Sequence, residues 1–159
     1  MLDKAVGQYR EVLRLKQDEM DARLALISLY VKMKDYQGLT ELLEEGTRLF
    51  PDDANSHYRL GIVYEFRKNL PAAIEEYRKT VELQPLHAKG HNALGRLFLK
   101  TGRMAEARVS LEAAKKADPR LAEPRMLLNT IREDLSAGKA HYKKKYKKSR
   151  RKKVKTKRK

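Results

Sequence analysis

Two histidines, His57 and His91, each begin a similar stretch of sequence, HYRLGIVY and HNALGRLF. An imidazole ring can bind a metal ion or transfer a proton near neutral pH, so a recurring histidine is a candidate for either chemistry. The sequence places no carboxylate to complete a metal site with them and no serine arranged with them as a nucleophile, and the chain contains no cysteine. We therefore predict a structural role for both histidines, with no catalytic residue, no metal site and no cofactor.

Composition narrows the class of protein before any motif is considered. The chain has 159 residues, 41% of them hydrophobic, and is rich in helix-forming side chains, which favours an all-α fold. The absence of cysteine excludes disulfide scaffolds and thiolate zinc sites. No apolar stretch approaches the roughly 18 residues that a membrane span needs, and the amino-terminal segment lacks a signal-peptide core. The expectation is a protein without a transmembrane segment, in the cytoplasm.

The stretches that begin at His57 and His91 belong to a longer internal repeat. When His57 is aligned with His91, apolar, glycine and proline positions coincide without a gap, and a looser third copy precedes them with Ile27 at the glycine position. The coinciding pairs are Leu60/Leu94, Gly61/Gly95, Tyr64/Phe98, Ala73/Ala107, Tyr77/Leu111 and Pro85/Pro119.

Each copy predicts two amphipathic helices joined by a short turn. In the middle copy the helices are expected over 55–68 and 71–83, with Pro71 in the first turn of the second helix. Glycine in a helix interior is less favourable than alanine by roughly 1 kcal/mol, so the presence of Gly61 and Gly95 in predicted helices requires an explanation. A close crossing of two antiparallel helices gives one, because it requires a position with almost no side chain.

This pattern resembles the tetratricopeptide repeat (TPR) family, in which an aromatic, Leu-Gly, Tyr, Ala, an aromatic and a closing Pro recur with a period of about 34 residues. His57, His91 and Arg23 stand where the family usually has Trp. The resemblance implies an α-solenoid, a superhelix of antiparallel hairpins. The basic tail is expected to be disordered or partly helical, because it has almost nothing apolar to bury and its charges repel one another. The predicted divisions are 1–17 a half-repeat helix, 18–51, 52–85 and 86–119 three repeats, 120–138 a capping helix, and 139–159 the tail.

The two ends of the predicted array differ from complete repeats. Residues 2–16 match a second helix without its first, with Ala5, Tyr9 and Val12 in register with Ala73, Tyr77 and Thr80. This helix is expected to be either a cap of the stack or a repeat truncated from a longer array, whose uncovered apolar face promotes self-association. At the other end, the capping helix is expected to turn four apolar residues inward, Leu127, Leu128, Ile131 and Leu135.

Function in the TPR family usually lies on a concave groove lined by the first helix of each repeat. The resemblance implies a groove for a peptide or helix of a partner protein, lined by Asn55, Tyr58, Ile62, Lys89, Asn92, Arg96 and Leu99. Relatives that clamp a chaperone's terminal carboxylate carry Lys, Asn and Arg at positions that correspond here to Leu24, Ser28, Arg59, Lys89 and Ala93. Only Lys89 fits, so a carboxylate clamp is not expected.

The charge of the chain is concentrated at its carboxyl end. Of a net charge of +16, +14 belongs to residues 139–159, which contain fourteen Lys and Arg and no acid. Such a segment attracts nucleic acid, but acidic proteins or anionic lipid are alternatives, as is a purely solubilising role. The candidate polyanion-binding residues are Lys143, Lys144, Lys145, Lys147, Lys148, Arg150, Arg151, Lys152 and Lys153. The sequence thus predicts a non-catalytic scaffold with a polyanion-binding tail, or else a nucleic-acid- or ribosome-associated factor whose repeats recruit a protein.

Overall fold

In a computed structural model of the protein, residues 1–137 are described, and the predicted tail, 139–159, lies outside them. Helices follow one another along the described residues, without a strand among them. Their bounds are α1 Leu2–Leu15, α2 Met20–Met33, α3 Tyr36–Leu49, α4 Ala54–Phe66, α5 Leu70–Leu83, α6 Ala88–Lys100, α7 Met104–Ala117, and α8 over 122–137.

Side-chain caps set the beginnings of three helices. The carboxylates of Asp35 and Asp53 accept hydrogen bonds from backbone N–H groups in the first turns of α3 and α4. The Asn69 side chain does the same for α5, which carries Pro71 in its first turn as predicted. These bonds satisfy amide groups that have no partner inside a helix, so the helix starts lie within one residue of those expected for the middle copy.

The turn inside each helix pair has one repeated backbone geometry. Lys34, Lys68 and Gly102 occupy equivalent positions of successive repeats, and each has a positive φ, of 57°, 60° and 74°. The residue that follows each of them donates its N–H to the carbonyl five residues earlier, at 2.8–2.9 Å. This is the hydrogen-bond pattern of a left-handed helix C-terminus. Glycine at position 102 favours this conformation, whereas lysine at positions 34 and 68 does not signal it.

The chain divides into two compact units, Met1–Gly90 and the residues from His91 onward, with the boundary inside α6. In the first unit, neighbouring helices pack in sequence order from α1 to α5. The core that α1 to α4 share is apolar and consists of Leu13, Ala22, Leu26, Tyr30, Leu39, Leu42, Leu43, Leu60 and Val63.

Both predicted close crossings are confirmed, one in each unit. A Cβ atom added at Gly61 would lie 2.6 Å from ring carbons of Tyr77, and one added at Gly95 would lie 2.5 Å from Leu111 Cγ. Neither position therefore accepts a side chain without movement of its neighbour. In the α2–α3 pair the close approach falls instead on Gly38, whose added Cβ would lie 2.7 Å from the ring of Tyr30.

The last helix departs from the prediction at one residue. Ile131 is 2% exposed and buried as expected, and Leu127 and Leu128 are half-buried. Leu135 was expected to turn inward as well, but it is 48% exposed. It lies near the end of the described part of α8, one turn beyond the buried Ile131.

Candidate functional site

His57 occupies a buried polar position between α4 and α5. Its Nδ1 lies 2.6 Å from a carboxylate oxygen of Glu76, and its Nε2 lies 2.9 Å from the carbonyl oxygen of Pro51. A carbonyl can only accept, so Nε2 is the donor of that bond. Sequence reasoning missed this carboxylate, which α5 brings within hydrogen-bond distance of His57. The ring nevertheless has a structural role, since both nitrogens are engaged by groups of the fold.

Arg23 fills the corresponding place one repeat earlier. Its Nη2 donates to the Gln17 carbonyl at 3.0 Å and its Nη1 to the Leu42 carbonyl at 3.3 Å, and Glu45 lies 3.7 Å away. The side chain is nearly completely buried and passes beside Gly46, where an added Cβ would lie 3.6 Å from Nη1. A polar side chain with carbonyl partners thus replaces the aromatic filler that the resemblance suggests.

Residues 1–137 contain no group of three or more His, Asp or Glu side chains placed to hold a metal ion. Over the same residues, none of the helices combines the length and the apolar character that crossing a membrane requires. His57 with Glu76 is a pair, and both nitrogens of the ring already have partners in the fold.

The surface of α4 carries three of the predicted groove residues. Asn55, Tyr58 and Ile62 have the i, i+3, i+7 spacing of one helix face. Tyr58 is half-buried, with its ring 5.7 Å from that of Tyr77 and 4.8 Å from that of His87, measured between centroids. Asn55 is exposed and Ile62 is 45% exposed. This face therefore combines a fixed aromatic ring with an accessible aliphatic side chain and an exposed amide.

The predicted residues of α6 divide between the two units. Lys89 is exposed in the first unit. In the second unit, Asn92 Nδ2 donates to Glu123 Oε2 at 2.6 Å, and Arg96 Nη1 lies 3.8 Å from Glu123 Oε1. Leu99 is half-buried on the same helix. The structure thus brings Asn92 and Arg96 together on one carboxylate of α8.

Sequence reasoning missed Glu123, although a signal for it exists. Glu123 lies one repeat length after Lys89, a predicted groove residue, and therefore at the same position of the repeat. The prediction of a capping helix over 120–138 assigns no binding role to that position.

The phenol of Tyr64 joins α4 to α3. Its hydroxyl donates to Glu44 Oε1 at 2.7 Å, and Arg67, which directly follows α4, donates from Nη1 to Thr40 Oγ1 at 3.1 Å. Burial, followed by the hydrogen bond to the Glu44 carboxylate, raises the pKa of Tyr64 to about 12. The phenol therefore remains a neutral donor throughout the physiological range.

A cleft of about 760 Å³ lies between α7 and α8 in the second unit. Its floor is apolar, with Leu128, Ile131 and Leu135, and the exposed Leu135 forms part of it. Its rim is predominantly basic, and the charged residues there are Arg108, Glu112, Lys115, Lys116 and Arg132. Among these, Arg108 and Glu112 form an exposed ion pair at 3.9 Å.

The helix pairs, their glycine crossings and their recurring turn geometry agree with the family comparison. The model of a family described as tetratricopeptide repeat matches residues 40–85 and 67–122, which together make up more than half of the chain. The chain belongs to the TPR family. A curated relative, bacteriophage adsorption protein A from Escherichia coli (strain K12), is 32% identical over 87 residues, 53% of this chain. The chain spans only 9% of the length of that relative.

Solved TPR structures share the fold. MamA superposes with a TM-score of 0.74 at 20% identity, over 85% of this chain and 79% of the other. YrrB, described as a TPR protein with an unusual peptide-binding site, has a TM-score of 0.70 at 20% identity, over 85% and 70%. The first TPR of Spaghetti (RPAP3), bound to the HSP90 peptide SRMEEVD, has a TM-score of 0.62 at 19% identity, over 67% and 85%. The predicted all-α solenoid fold is confirmed for the described residues.

Proposed function

We propose that this TPR chain is a non-catalytic scaffold whose first helices bind a peptide or helix of a partner protein. The observation that carries the proposal is the face of α4, where an exposed aliphatic side chain, Ile62, stands beside the packed ring of Tyr58 and the exposed amide of Asn55. An apolar contact flanked by a small number of polar groups is how extended peptides and helices are usually held.

The solved structures support a peptide as the ligand class. The RPAP3 repeat holds an HSP90 peptide, and YrrB is described by its peptide-binding site. The carboxylate-clamp positions of this chain, with Leu24, Ser28 and Ala93, lack the required cations and amides. We therefore propose a different mode, in which Lys89 extends the α4 face of the first unit. In the second unit, a polar subsite with an apolar neighbour consists of Asn92, Arg96 and Leu99. The first helices that bind the partner belong to the proposed repeats, 18–51, 52–85 and 86–119.

Partner capture with the full chain as bait tests this function. Two double variants test the two parts of the surface, Asn55→Ala/Ile62→Ala and Asn92→Ala/Arg96→Ala. Each is expected to capture at least about tenfold less partner than the wild type. The partner is identified and quantified by mass spectrometry after nuclease treatment. Each variant removes two side chains that contact the partner in this proposal. At about 1 kcal/mol of binding free energy per contact, their combined loss weakens binding by about tenfold or more.

A matched control removes the same chemical groups elsewhere. Gln37→Ala/Arg48→Ala deletes one amide and one guanidinium from exposed positions of α3 and should leave capture unchanged. If the two surface variants capture the partner as well as the control does, the partner binds elsewhere and the proposed surface is wrong.

We also propose that the basic tail provides contact with a polyanion, with nucleic acid as the first candidate. The residues concerned, 139–159, lie outside the described part of the chain. The observation that favours this is the basic rim of the α7–α8 cleft, where Lys115, Lys116 and Arg132 place further cations in the second unit. A factor in which the tail binds RNA or DNA while the repeats recruit a protein combines both proposals.

Salt dependence separates this second function from the first. Nucleic-acid binding by the full chain should weaken steeply between about 50 and 200 mM salt, with a slope set by the number of phosphates contacted. Deleting 139–159 should remove both the binding and its slope, and it should leave protein capture intact. Equal nucleic-acid binding by the shortened chain would place the activity on the repeats.

Self-association through α1 is a further part of the proposal. Tyr9 is 39% exposed and Val12 38% exposed, whereas Tyr77 and Thr80, in register with them two repeats later, are almost completely buried. A partner that covers Tyr9 would bury an equivalent apolar face. Light scattering should show a concentration-dependent increase in mass that Tyr9→Lys removes, and a monomer at the highest concentration would contradict it.

A further inference from the structure

The carboxylate of Glu123 is held by two side chains of α6. Asn92 Nδ2 donates to Oε2 at 2.6 Å, and Arg96 Nη1 lies 3.8 Å from Oε1. Asn92 and Arg96 are four residues apart and therefore on one face of α6. The pair forms a fork in which an amide and a guanidinium each engage one oxygen of the same carboxylate.

This internal contact is accessible to solvent and can be exchanged. The side chain of Glu123 is 48% exposed and that of Arg96 is 36% exposed. An exposed ion pair contributes little to stability, because water competes with it and both side chains lose freedom in forming it. A carboxylate supplied by another molecule could therefore replace Glu123 without unfolding α8.

Asn92 also has a hydrogen-bonding capacity that Glu123 does not use. Its Oδ1 is buried and has no hydrogen-bond partner among the described residues. A carboxylate cannot donate to this oxygen, whereas a peptide N–H can. A ligand that offers an acidic side chain next to a backbone N–H would satisfy the amide at both ends.

We infer that Asn92 and Arg96 bind an acidic side chain of the partner protein, and that Glu123 fills this site as an internal competitor. The inference rests on the proposed function and adds the chemistry of the ligand to it: an acidic peptide segment rather than a terminal carboxylate. The site becomes available when Glu123 is displaced, so the affinity for such a segment is lowered by the strength of the internal contact.

The test measures binding of a fluorescein-labelled hexaglutamate peptide to the full chain by fluorescence polarisation. Replacing Glu123→Ala should tighten binding about three- to tenfold, since one charge-assisted contact no longer competes. Glu123→Gln keeps an acceptor for Asn92 but loses the charge, so it should show a smaller gain. Glu133→Ala makes the same change in net charge at another exposed acid of α8 and should alter binding less than about twofold.

Two outcomes would overturn the inference. Equal tightening by Glu123→Ala and Glu133→Ala would mean that the peptide responds only to overall charge, including that of the tail. A gain that persists in Glu123→Ala/Asn92→Ala/Arg96→Ala would place the site elsewhere. Circular dichroism of every variant checks that α8 is retained.

Failure of this inference is distinguishable from failure of the proposed function. Partner capture that depends on Asn92 and Arg96 but gains nothing from Glu123→Ala leaves the scaffold function standing and removes the internal competitor. If partner capture is unchanged by substitution of Asn92 and Arg96, these residues are not part of the surface that binds the partner. That conclusion holds whether or not the hexaglutamate peptide binds them.

Discussion

Arg23 and His57, which occupy equivalent positions of successive repeats, each donate a hydrogen bond to the backbone carbonyl six residues earlier in the chain. Arg23 Nη2 lies 3.0 Å from the carbonyl oxygen of Gln17, and His57 Nε2 lies 2.9 Å from that of Pro51. Both side chains are almost fully buried. Two different polar residues thus perform one task, tying the loop before a repeat to its first helix.

Replacing His57→Leu should lower the free energy of unfolding by about 1–3 kcal/mol, because the Glu76 carboxylate and the Pro51 carbonyl both lose their partner. Glu76 retains Lys79, whose Nζ lies 3.5 Å from its other oxygen, and so remains partly neutralised. Urea denaturation followed by circular dichroism measures the change. His57→Gln, which keeps a donor and an acceptor, should lose less, and a leucine variant as stable as the wild type would show that the hydrogen bonds contribute nothing.

Alanine substitutions at two helical glycines should change the free energy of unfolding in opposite directions. Gly61→Ala places a methyl group 2.6 Å from the Tyr77 ring, and the resulting displacement should destabilise the protein by about 1–3 kcal/mol. Gly7→Ala in α1 meets nothing within 4 Å and should stabilise by about 0.5–1 kcal/mol through helix propensity. Thermal unfolding of both variants provides the comparison, and a stabilising Gly61→Ala would refute the close crossing.

Because Lys68 has a positive φ, replacing it by glycine should stabilise the protein. Glycine adopts this conformation without steric penalty, so Lys68→Gly should raise the free energy of unfolding by about 0.5–1 kcal/mol. The reverse change at the equivalent position, Gly102→Lys, should lower it by a similar amount. Denaturant titrations of the two variants should shift the midpoint in opposite directions, and a shift in the same direction would contradict the shared turn geometry.

The raised pKa of Tyr64 predicts a loss of stability at high pH. The folded-state pKa is about 12, above the ordinary value of 10.0, so the neutral phenol is favoured by folding. This contribution is fully present below pH 10.0 and is lost as the pH rises through about 12. The difference in unfolding free energy between wild type and Tyr64→Phe should therefore narrow over that interval. Wild type and Tyr64→Phe share every other ionisable group, so a constant difference would show that Tyr64 is not responsible.

Local patterns allowed the helices and their crossings to be predicted from sequence. Gly61 and Gly95 sit in helices where glycine is unfavourable, and close packing compensates for this, as the structure shows against Tyr77 and Leu111. The proline at position 71 marks the first turn of α5, where the structure places it. Signals of this kind are readable because cause and effect are neighbours in the chain.

Pairings across helices could not be read in the same way. The contact of His57 with Glu76 depends on the side-chain direction of α5 relative to α4, which the repeat spacing does not contain. The contact of Asn92 with Glu123 joins residues far apart in the chain and requires α8 to pack along α6. The positive φ of Lys68 could not be predicted from the sequence, because lysine does not favour that conformation as glycine does.

The hydrogen bonds of Arg23 and His57 also limit how this gene can change in length. A side chain that spans six residues fixes the loop in front of each of these repeats, and the left-handed residue at 34, 68 and 102 fixes the turn inside it. A single inserted residue in either place shifts a buried donor away from its carbonyl or breaks the turn. Duplication of a whole repeat preserves both contacts, so growth by unequal recombination is compatible with this fold, whereas an insertion at either of these places is not.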